Sequence, residues 1–442
     1  MKKYPKKTIG ELCDIQKGET GIVSAIPGEY PLVTTGKERK TSATYQFDTK
    51  AVCIPLVSSS GHGKKSLNYV HYQEGKFALG TILAAIIPKN NTDISAAFLH
   101  QYLLFYKNIK IVPLMRGAAN VSLAVKDIAK IEVPIPPINE QKDFIFLFNK
   151  LKKFNDLLIQ EFDSQEKYIS QLKQAILQEA IAGQLTAEWR DRNPMQQGNP
   201  DTDAAALLAK IKAEKQQLIA NGKLRKEKPL PKISPDEVPF CVPDNWVWCR
   251  LGEIIKENPR NGYSPKAVSY PTSVKTLKLG ATTWGKFNPD EYKYIDEEIP
   301  SDSIFWLKKN DILIQRSNSL DYVGVSAIYD GEDNQFIYPD LMIKVQMMQY
   351  LSIKFSYLLL SSSMTRKYFR NLAKGAQKSM PKITQGVVLN TLFPLPPLAE
   401  QKAIVEEVDY LMKIIDQLEE QIKHRKKLAE ELMQTVLREA FE

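Results

Sequence analysis

The sequence predicts an α+β protein in which two β-rich domains are held apart by two long antiparallel helices, organised as an internal pseudo-twofold repeat. Three observations predict it. Pro134-Ile135-Pro136-Pro137-Ile138-Asn139-Glu140-Gln141-Lys142 returns as Pro394-Leu395-Pro396-Pro397-Leu398-Ala399-Glu400-Gln401-Lys402, and the segments Pro134 to Ala180 and Pro394 to Ala440 align without a gap, 260 positions apart, with 16 identities in 47 positions. A repeat of this length dictates architecture before any local reading. Each proline cluster forbids helix and stiffens the chain, then leads straight into a long amphipathic pattern. Finally, the stretch before the first cluster holds short apolar runs bounded by Gly, Ser, Thr and Lys, as strands are, and the stretches before both clusters open alike, on Ile9-Gly10-Glu11 and Leu251-Gly252-Glu253.

Residues 1–133 form the first β-rich domain. Strands are expected at Tyr30 to Val33, Ala51 to Val57 and Phe77 to Pro88, and a buried helix at Ala96 to Tyr106. Between them lie two loops rich in donors and flexible backbone, one carrying Lys37, Arg39 and Lys40, the other His62, Lys64 and Lys65. Such loops suit phosphates and base edges, and equally suit solvated surface. Arg116 and Asn120 close the domain just before the first proline cluster.

Residues 134–182 form the central helix and residues 394–442 its C-terminal counterpart. From Asn139 to Ala182 the first spans roughly 66 Å at 1.5 Å per residue, longer than a typical domain is wide, so the economical cover for each apolar stripe is the other helix. The expected pairing residues are Leu151, Phe154 and Leu158, then Leu172 and Ile176 after one slip of phase, against Leu411, Ile414, Leu418, Leu432 and Val436. Burial of the two helices in separate cores would not require their gap-free equal length.

Residues 183–245 read as a linker with one short helix, which Asp201 can cap and Asn221-Gly222 stops, followed by a charged, proline-punctuated stretch. The second β-rich domain occupies residues 246–393. Its candidate contact residues are Arg260 and Asn261, Trp284 and Lys286, Arg316 and Asn318, and Lys374, Gln377 and Lys378. Arg, Asn and Gln have the geometry to read base edges and Lys mostly meets phosphate; an aromatic such as Trp284 is as readily core.

The net charge is +9, and its distribution is uneven: the two long helices together carry −5, which leaves +14 on the rest of the chain. That places the positive charge where a polyanion would be met. No apolar run approaches a membrane span, and the basic N-terminus lacks the apolar stretch of a signal peptide. The four cysteines show no CxxC and no paired spacing with the histidines, so zinc is not expected and a cytoplasmic location is. There is no GxxxxGK[ST], GxGxxG or HExxH, no Asn/Asp-Pro-Pro-aromatic motif and no nuclease-like carboxylate set, so the chain itself is expected not to be an enzyme.

The twice-repeated proline-Glu-Gln motif with its helix, the Leu251-Gly252-Glu253 opening and the passage Gln178-Glu179-Ala180-Ile181-Ala182-Gly183-Gln184-Leu185-Thr186-Ala187-Glu188-Trp189-Arg190 together resemble the DNA-specificity (S) subunit of type I restriction-modification systems, over essentially the full length. The resemblance implies two target recognition domains, each reading one half of a bipartite double-stranded DNA sequence, with the paired helices as a ruler. It implies two methyltransferase (M) subunits and restriction (R) subunits as partners. S-adenosylmethionine, ATP and Mg would belong to those partners, with no cofactor in this chain. The first domain departs from the pattern in beginning within ten residues of the N-terminus, without a counterpart of the linker before the second. The alternative reading is a non-enzymatic DNA-binding regulator or scaffold with a pseudo-dimeric coiled-coil frame.

Overall fold

A computed structural model describes residues 4–60, 63–89, 93–226, 228–373 and 380–441. The chain divides into two compact units, Met1–Ser164 with Ile422–Glu442, and Gln165–Gln421.

In the first unit the strand Lys6–Thr8 pairs antiparallel with Glu132–Pro134, so the opening of the domain lies against the residues that enter the proline cluster. Thr8 then caps a one-turn helix, Ile9–Leu12, through a reciprocal capping box with Glu11. One four-stranded antiparallel sheet runs in the order Cys13–Lys17, Leu83–Pro88, Ala51–Pro55, His71–Gln73; a second runs Lys40–Ser42, Tyr30–Val33, Lys76–Leu79, Phe47–Asp48. All of Ala51–Pro55 is buried, because alternate residues serve two cores. Val52 and Ile54 join the larger cluster under the helix Ala96–Tyr106, while Ala51 and Cys53 pack with Phe47, Phe77 and Leu79.

The run Phe77 to Pro88 is therefore not one strand. It breaks at Gly80, where the Leu83 amide closes a turn on the Gly80 carbonyl at 2.9 Å, and its halves belong to different sheets. Apolar character continues across the break because both halves are buried, which is why hydropathy alone joined them.

The second unit repeats the frame around a different filling. Val247–Arg250 pairs antiparallel with Leu392–Leu395, the equivalents of the strands that close the first domain. Inside lie a four-stranded sheet in the order Arg260–Asn261, Met342–Val345, Ile312–Gln315, Ser326–Ile328, and a three-stranded one in the order Ala267–Val268, Tyr292–Ile295, Val274–Leu277. The linker helix is Ala204–Ala220, and its cap is Asp203 rather than Asp201: the Asp203 carboxylate accepts from the amides of Ala205 and Ala206. Asp203 immediately precedes the first helical residue, where a side chain reaches the orphan amides, whereas Asp201 is too far back.

The repeated Glu-Gln pair explains why the proline motif recurs. Gln141 is fully buried; its Oε1 accepts from the amide of Ser95, the cap of helix Ala96–Tyr106, and its Nε2 donates to the carbonyls of Asp93 and Pro136. Gln401, also fully buried, accepts from the amide of Ser352, the cap of helix Ile353–Ser361, and donates to Pro396. The neighbouring glutamates are equivalent too. Tyr4 donates to Glu140 at 2.8 Å, and Trp246, five residues before its domain's Leu-Gly-Glu just as Tyr4 is before Ile-Gly-Glu, donates to Glu400 at 2.8 Å. Glu400 is fully buried and also takes Thr186, Asn245 and Arg190. A buried carboxylate needs such company.

The long helices are Ile138–Ala182 and Leu398–Phe441. In the first unit Phe144 meets Phe441 and Asp163 meets Lys426 at 2.9 Å; in the second, Glu400 meets Thr186 while Lys173 meets Asp416 and Glu419. Within each unit the pairing is antiparallel. Along the middle of the first helix Phe148, Leu151, Asn155, Leu158, Phe162, Gln165, Ile169, Lys173 and Ile176 are buried or half-buried and recur every three or four residues as a seam. On the second helix Val408, Leu411, Ile415, Ile422, Met433 and Val436 are likewise buried or half-buried, each at the place of a first-helix seam residue 260 positions earlier. Leu151, Leu158, Ile176, Leu411 and Val436 thus lie on the seam, but Phe154, Leu172, Ile414, Leu418 and Leu432 are 39–61% exposed. The seam needs no slip of phase. Its polar members Asn155 and Lys173 hide it from hydropathy, and the apolar Phe154 and Leu172 beside them mimic it.

Phe441 fills the first unit's core, edge-on to Phe98 and Tyr102 and beside Phe144. Phe441→Ala is expected to lower the stability of this unit by about 3–5 kcal/mol, read as faster amide exchange in helix Ala96–Tyr106; unchanged exchange there would contradict this packing.

Candidate nucleic-acid interface

In the first unit the Ser-rich loop is built rather than slack. Ser58 Oγ donates to the Lys64 carbonyl at 2.6 Å and accepts from the Ser66 amide at 3.1 Å, and the Ser60 and Ser66 hydroxyls meet at 2.7 Å. This internal bonding turns Lys64 and Lys65 outward, where both are exposed. Alongside runs the turn that carries Arg116 and Asn120: Ser58 donates to Val121, Gly63 to Ala119, and Arg116 pairs with Ser122. Gly63 has φ +73°, and a Cβ there would sit 2.2 Å from the Ala118 carbonyl, so only glycine allows the two loops to touch. The structure thus brings Lys64, Lys65, Arg116 and Asn120 together. Arg116 is exposed and reaches Asp127 only at 3.8 Å.

The other loop divides. Lys37 and Lys40 are exposed, whereas Arg39 turns inward: its guanidinium donates to Gln73 Oε1 at 3.0 Å, to the Tyr72 carbonyl at 3.3 Å and to His71 Nδ1 at 3.1 Å. Because a guanidinium only donates, His71 accepts through Nδ1 and is neutral. Burial and the adjacent Arg39 charge push the His71 pKa down to about 4. Arg39 braces the edge strand His71–Gln73, a partnership its local sequence does not signal.

In the second unit Gln315 is a fully buried hub. Its Nε2 donates to the Leu279 carbonyl and to the hydroxyls of Thr282 and Thr283, and its Oε1 accepts from Asn318 at 2.7 Å. The end of strand Ile312–Gln315 is thereby tied to two candidate segments, the one with Trp284 and Lys286 and the one with Arg316 and Asn318. Asn318 spends its amide on the hub, and Arg316 donates to the Asp340 carbonyl at 3.1 Å. Trp284 is not core: it is 81% exposed, with Tyr322 edge-on at 6.5 Å, and Lys286 is exposed beside it. Arg260 and Asn261 lie apart from the hub on an edge strand, half-buried, with Arg260 paired to Glu257 at 3.1 Å. His62, Lys374, Gln377 and Lys378 lie outside the described residues.

Sequence reading missed the helix Ser363–Leu372, which presents Arg366, Lys367 and Arg370. Arg366 donates to the carbonyls of Asp321 and Val323, holding the turn that carries Tyr322; burial and the neighbouring Arg370 lower its pKa to about 10, so it stays charged near neutrality. Basic residues one turn apart, beside aromatic-bearing loops, were the available signal. Among the described residues no group of three or more His, Cys, Asp or Glu could hold a metal ion, and no helix is long and apolar enough to cross a membrane.

A sequence profile described as the type I restriction modification DNA specificity domain matches residues 1–177 and again 243–425. The chain belongs to this DNA-specificity family. Relatives within it include the EcoEI specificity subunit of Escherichia coli, 31% identical across 58% of this chain and 43% of that one. The Escherichia coli EcoAI subunit is 29% identical across 66% and 55%, and the EcoDI subunit 26% identical across 98% and 86%. The chain thus spans about half the length of the first two and most of the third. The HsdS subunit from Thermoanaerobacter tengcongensis shares the fold, with a TM-score of 0.52 at 15% identity, covering 100% of this chain and 97% of that one. So does a chain from a structural study of complex assembly and conformational transition in a type I restriction-modification system, with a TM-score of 0.57 at 14% identity, covering 100% and 98%.

In this specificity-family chain the first unit carries a built-in acid sensitivity. The His71 pKa stands near 4 when folded against an ordinary 6.5, so the folded state binds fewer protons between these values. The stability linked to His71 is fully present above pH 6.5 and is lost as the pH falls towards 4. His71→Gln is expected to flatten the fall in melting temperature across that window relative to the unaltered chain; parallel curves would refute the assignment.

Proposed function

We propose that this chain is the DNA-recognition subunit of a type I restriction-modification complex. Residues 1–133 and 246–393 act as target recognition domains, each reading one half of a bipartite, asymmetric duplex sequence. The long helices of residues 134–182 and 394–442 set the spacer between the half-sites, and residues 183–245 link the first helix to the second domain. The observation that carries this reading is the double family match, together with the Gln141 and Gln401 brackets that build one frame around unlike strands. A shared frame with divergent filling is what reading two different half-sites requires.

Phosphate neutralisation supplies most of the affinity, with a steep salt dependence, from Lys37, Lys40, Lys64, Lys65, Arg116 and Lys286. Asn261, Arg316 and Asn120 are the candidates for base edges, and the exposed Trp284 offers a stacking face. The chain performs no chemistry itself. Two methyltransferase subunits supply adenine methylation with S-adenosylmethionine, and restriction subunits supply the ATP- and Mg-dependent cleavage, in the cytoplasm where the DNA lies. Sequencing methylated adenines in a host with and without this chain is expected to reveal one bipartite motif that depends on it; identical methylomes would overturn the proposal.

A further observation supports association with partners. Phe146, Leu147, Phe154 and Leu157 are 50–74% exposed on the first helix and fall within one 100° sector of its surface. The repeat places Glu406, Glu407, Ile414 and Gln417 at the matching positions, so this stripe is not demanded by the frame. Exposed apolar surface of this kind marks an interface. The double variant Phe146→Asp, Phe154→Asp is expected to lose co-purification with the methyltransferase subunits without a change in melting temperature; retained co-purification would exclude the stripe as a docking face.

A further inference from the structure

The sequence presents residues 183–245 as a linker with one short helix and a charged, proline-punctuated stretch. In the second unit residues 222–226 instead form one wall of a polar cleft of about 450 Å³, with residues 257–260 and Gln385 opposite. The helix Ala204–Ala220 stops at Asn221, and Gly222, with φ +69°, turns the chain so that the amides of Lys223 and Leu224 fold back onto the Leu218 carbonyl. That turn brings Lys223, Arg225 and Lys226 into the lining, and the side chains of all three are exposed and without an ion pair among the described residues.

Arg260 faces them. It spends Nη2 on Glu257 at 3.1 Å, while its Nε is buried without a hydrogen-bond partner. Four cations therefore share the cleft with one carboxylate, and one guanidinium donor is left to be satisfied, which is costly unless a ligand acceptor meets it. Apart from Leu224 and Pro259 the lining offers no apolar anchor. A docked peptide would want such anchors; a phosphodiester, which is all acceptor oxygen, would not.

We propose that this cleft is a phosphate clamp, in which Lys223, Arg225 and Lys226 of the linker, with Arg260, hold one or two consecutive phosphates of a DNA strand independently of sequence. The proposal rests on the DNA-recognition reading and adds to it: the linker becomes part of the grip on the duplex.

The test is the salt dependence of binding by the assembled complex to a fluorescent duplex carrying the target found by methylome sequencing. For Lys223→Ala with Arg225→Ala the affinity is expected to fall by at least about tenfold near physiological salt, and the slope of log affinity against log salt to shrink by roughly two, at about 0.9 per lost phosphate contact. The methylated motif should stay unchanged in both halves, and the charge-preserving Lys223→Arg with Arg225→Lys should restore most of the affinity. An unaltered slope would overturn the clamp, as would a changed half-site, which would mean base reading, or a loss of partner subunits with DNA affinity intact, which would mean an acidic protein segment. A loss of affinity that the charge-preserving pair fails to restore would also count against it. If the unaltered complex bound no duplex, the broader reading would fail instead.

Discussion

Everything in both halves is arranged about a buried carboxamide. A proline cluster leaves carbonyls that no helical amide can reach, and the first turn of the following helix leaves amides unsatisfied. Gln141 and Gln401 are placed to donate to the proline carbonyl and to accept from the amide of a serine that caps a helix of the domain. A carboxamide both donates and accepts here: glutamate would lack the donor and leucine both functions. Each long helix is thereby fastened at its root to the domain before it.

The glutamates beside these glutamines show how a repeat diverges without losing its frame. Tyr4 serves Glu140 as Trp246 serves Glu400. At Glu400 the partners come from two separate stretches, Thr186 with Arg190 and Asn245 with Trp246. The passage that follows the first long helix is thus a clamp on the start of the second, which gives Thr186 and Arg190 a structural role.

What the sequence disclosed depends on how local the cause is. Proline clusters, the capping serine before Ala96–Tyr106 and the stop at Asn221-Gly222 act through neighbouring residues, and the elements they bound are where they were expected. The helix seam was only half legible, because Asn155, Gln165 and Lys173 occupy it while apolar Phe154 and Leu157 do not. Arg39 read as a candidate DNA contact since its partners His71 and Gln73 are more than thirty positions away. The same holds for the Gln315 hub: nothing near it in the sequence indicates Leu279, Thr282 and Thr283. Tertiary partnership, not residue type, decides whether a basic side chain braces the fold or faces outward.

Phe441 rests among Phe98, Tyr102 and Phe144, residues made by the ribosome long before it. The N-terminal half of the protein therefore cannot finish its interior while translation proceeds; its aromatic socket must wait, open, through synthesis of the whole second half. Such a chain is exposed to premature association for the duration, and a frameshift or early stop near its end would be felt first at its beginning.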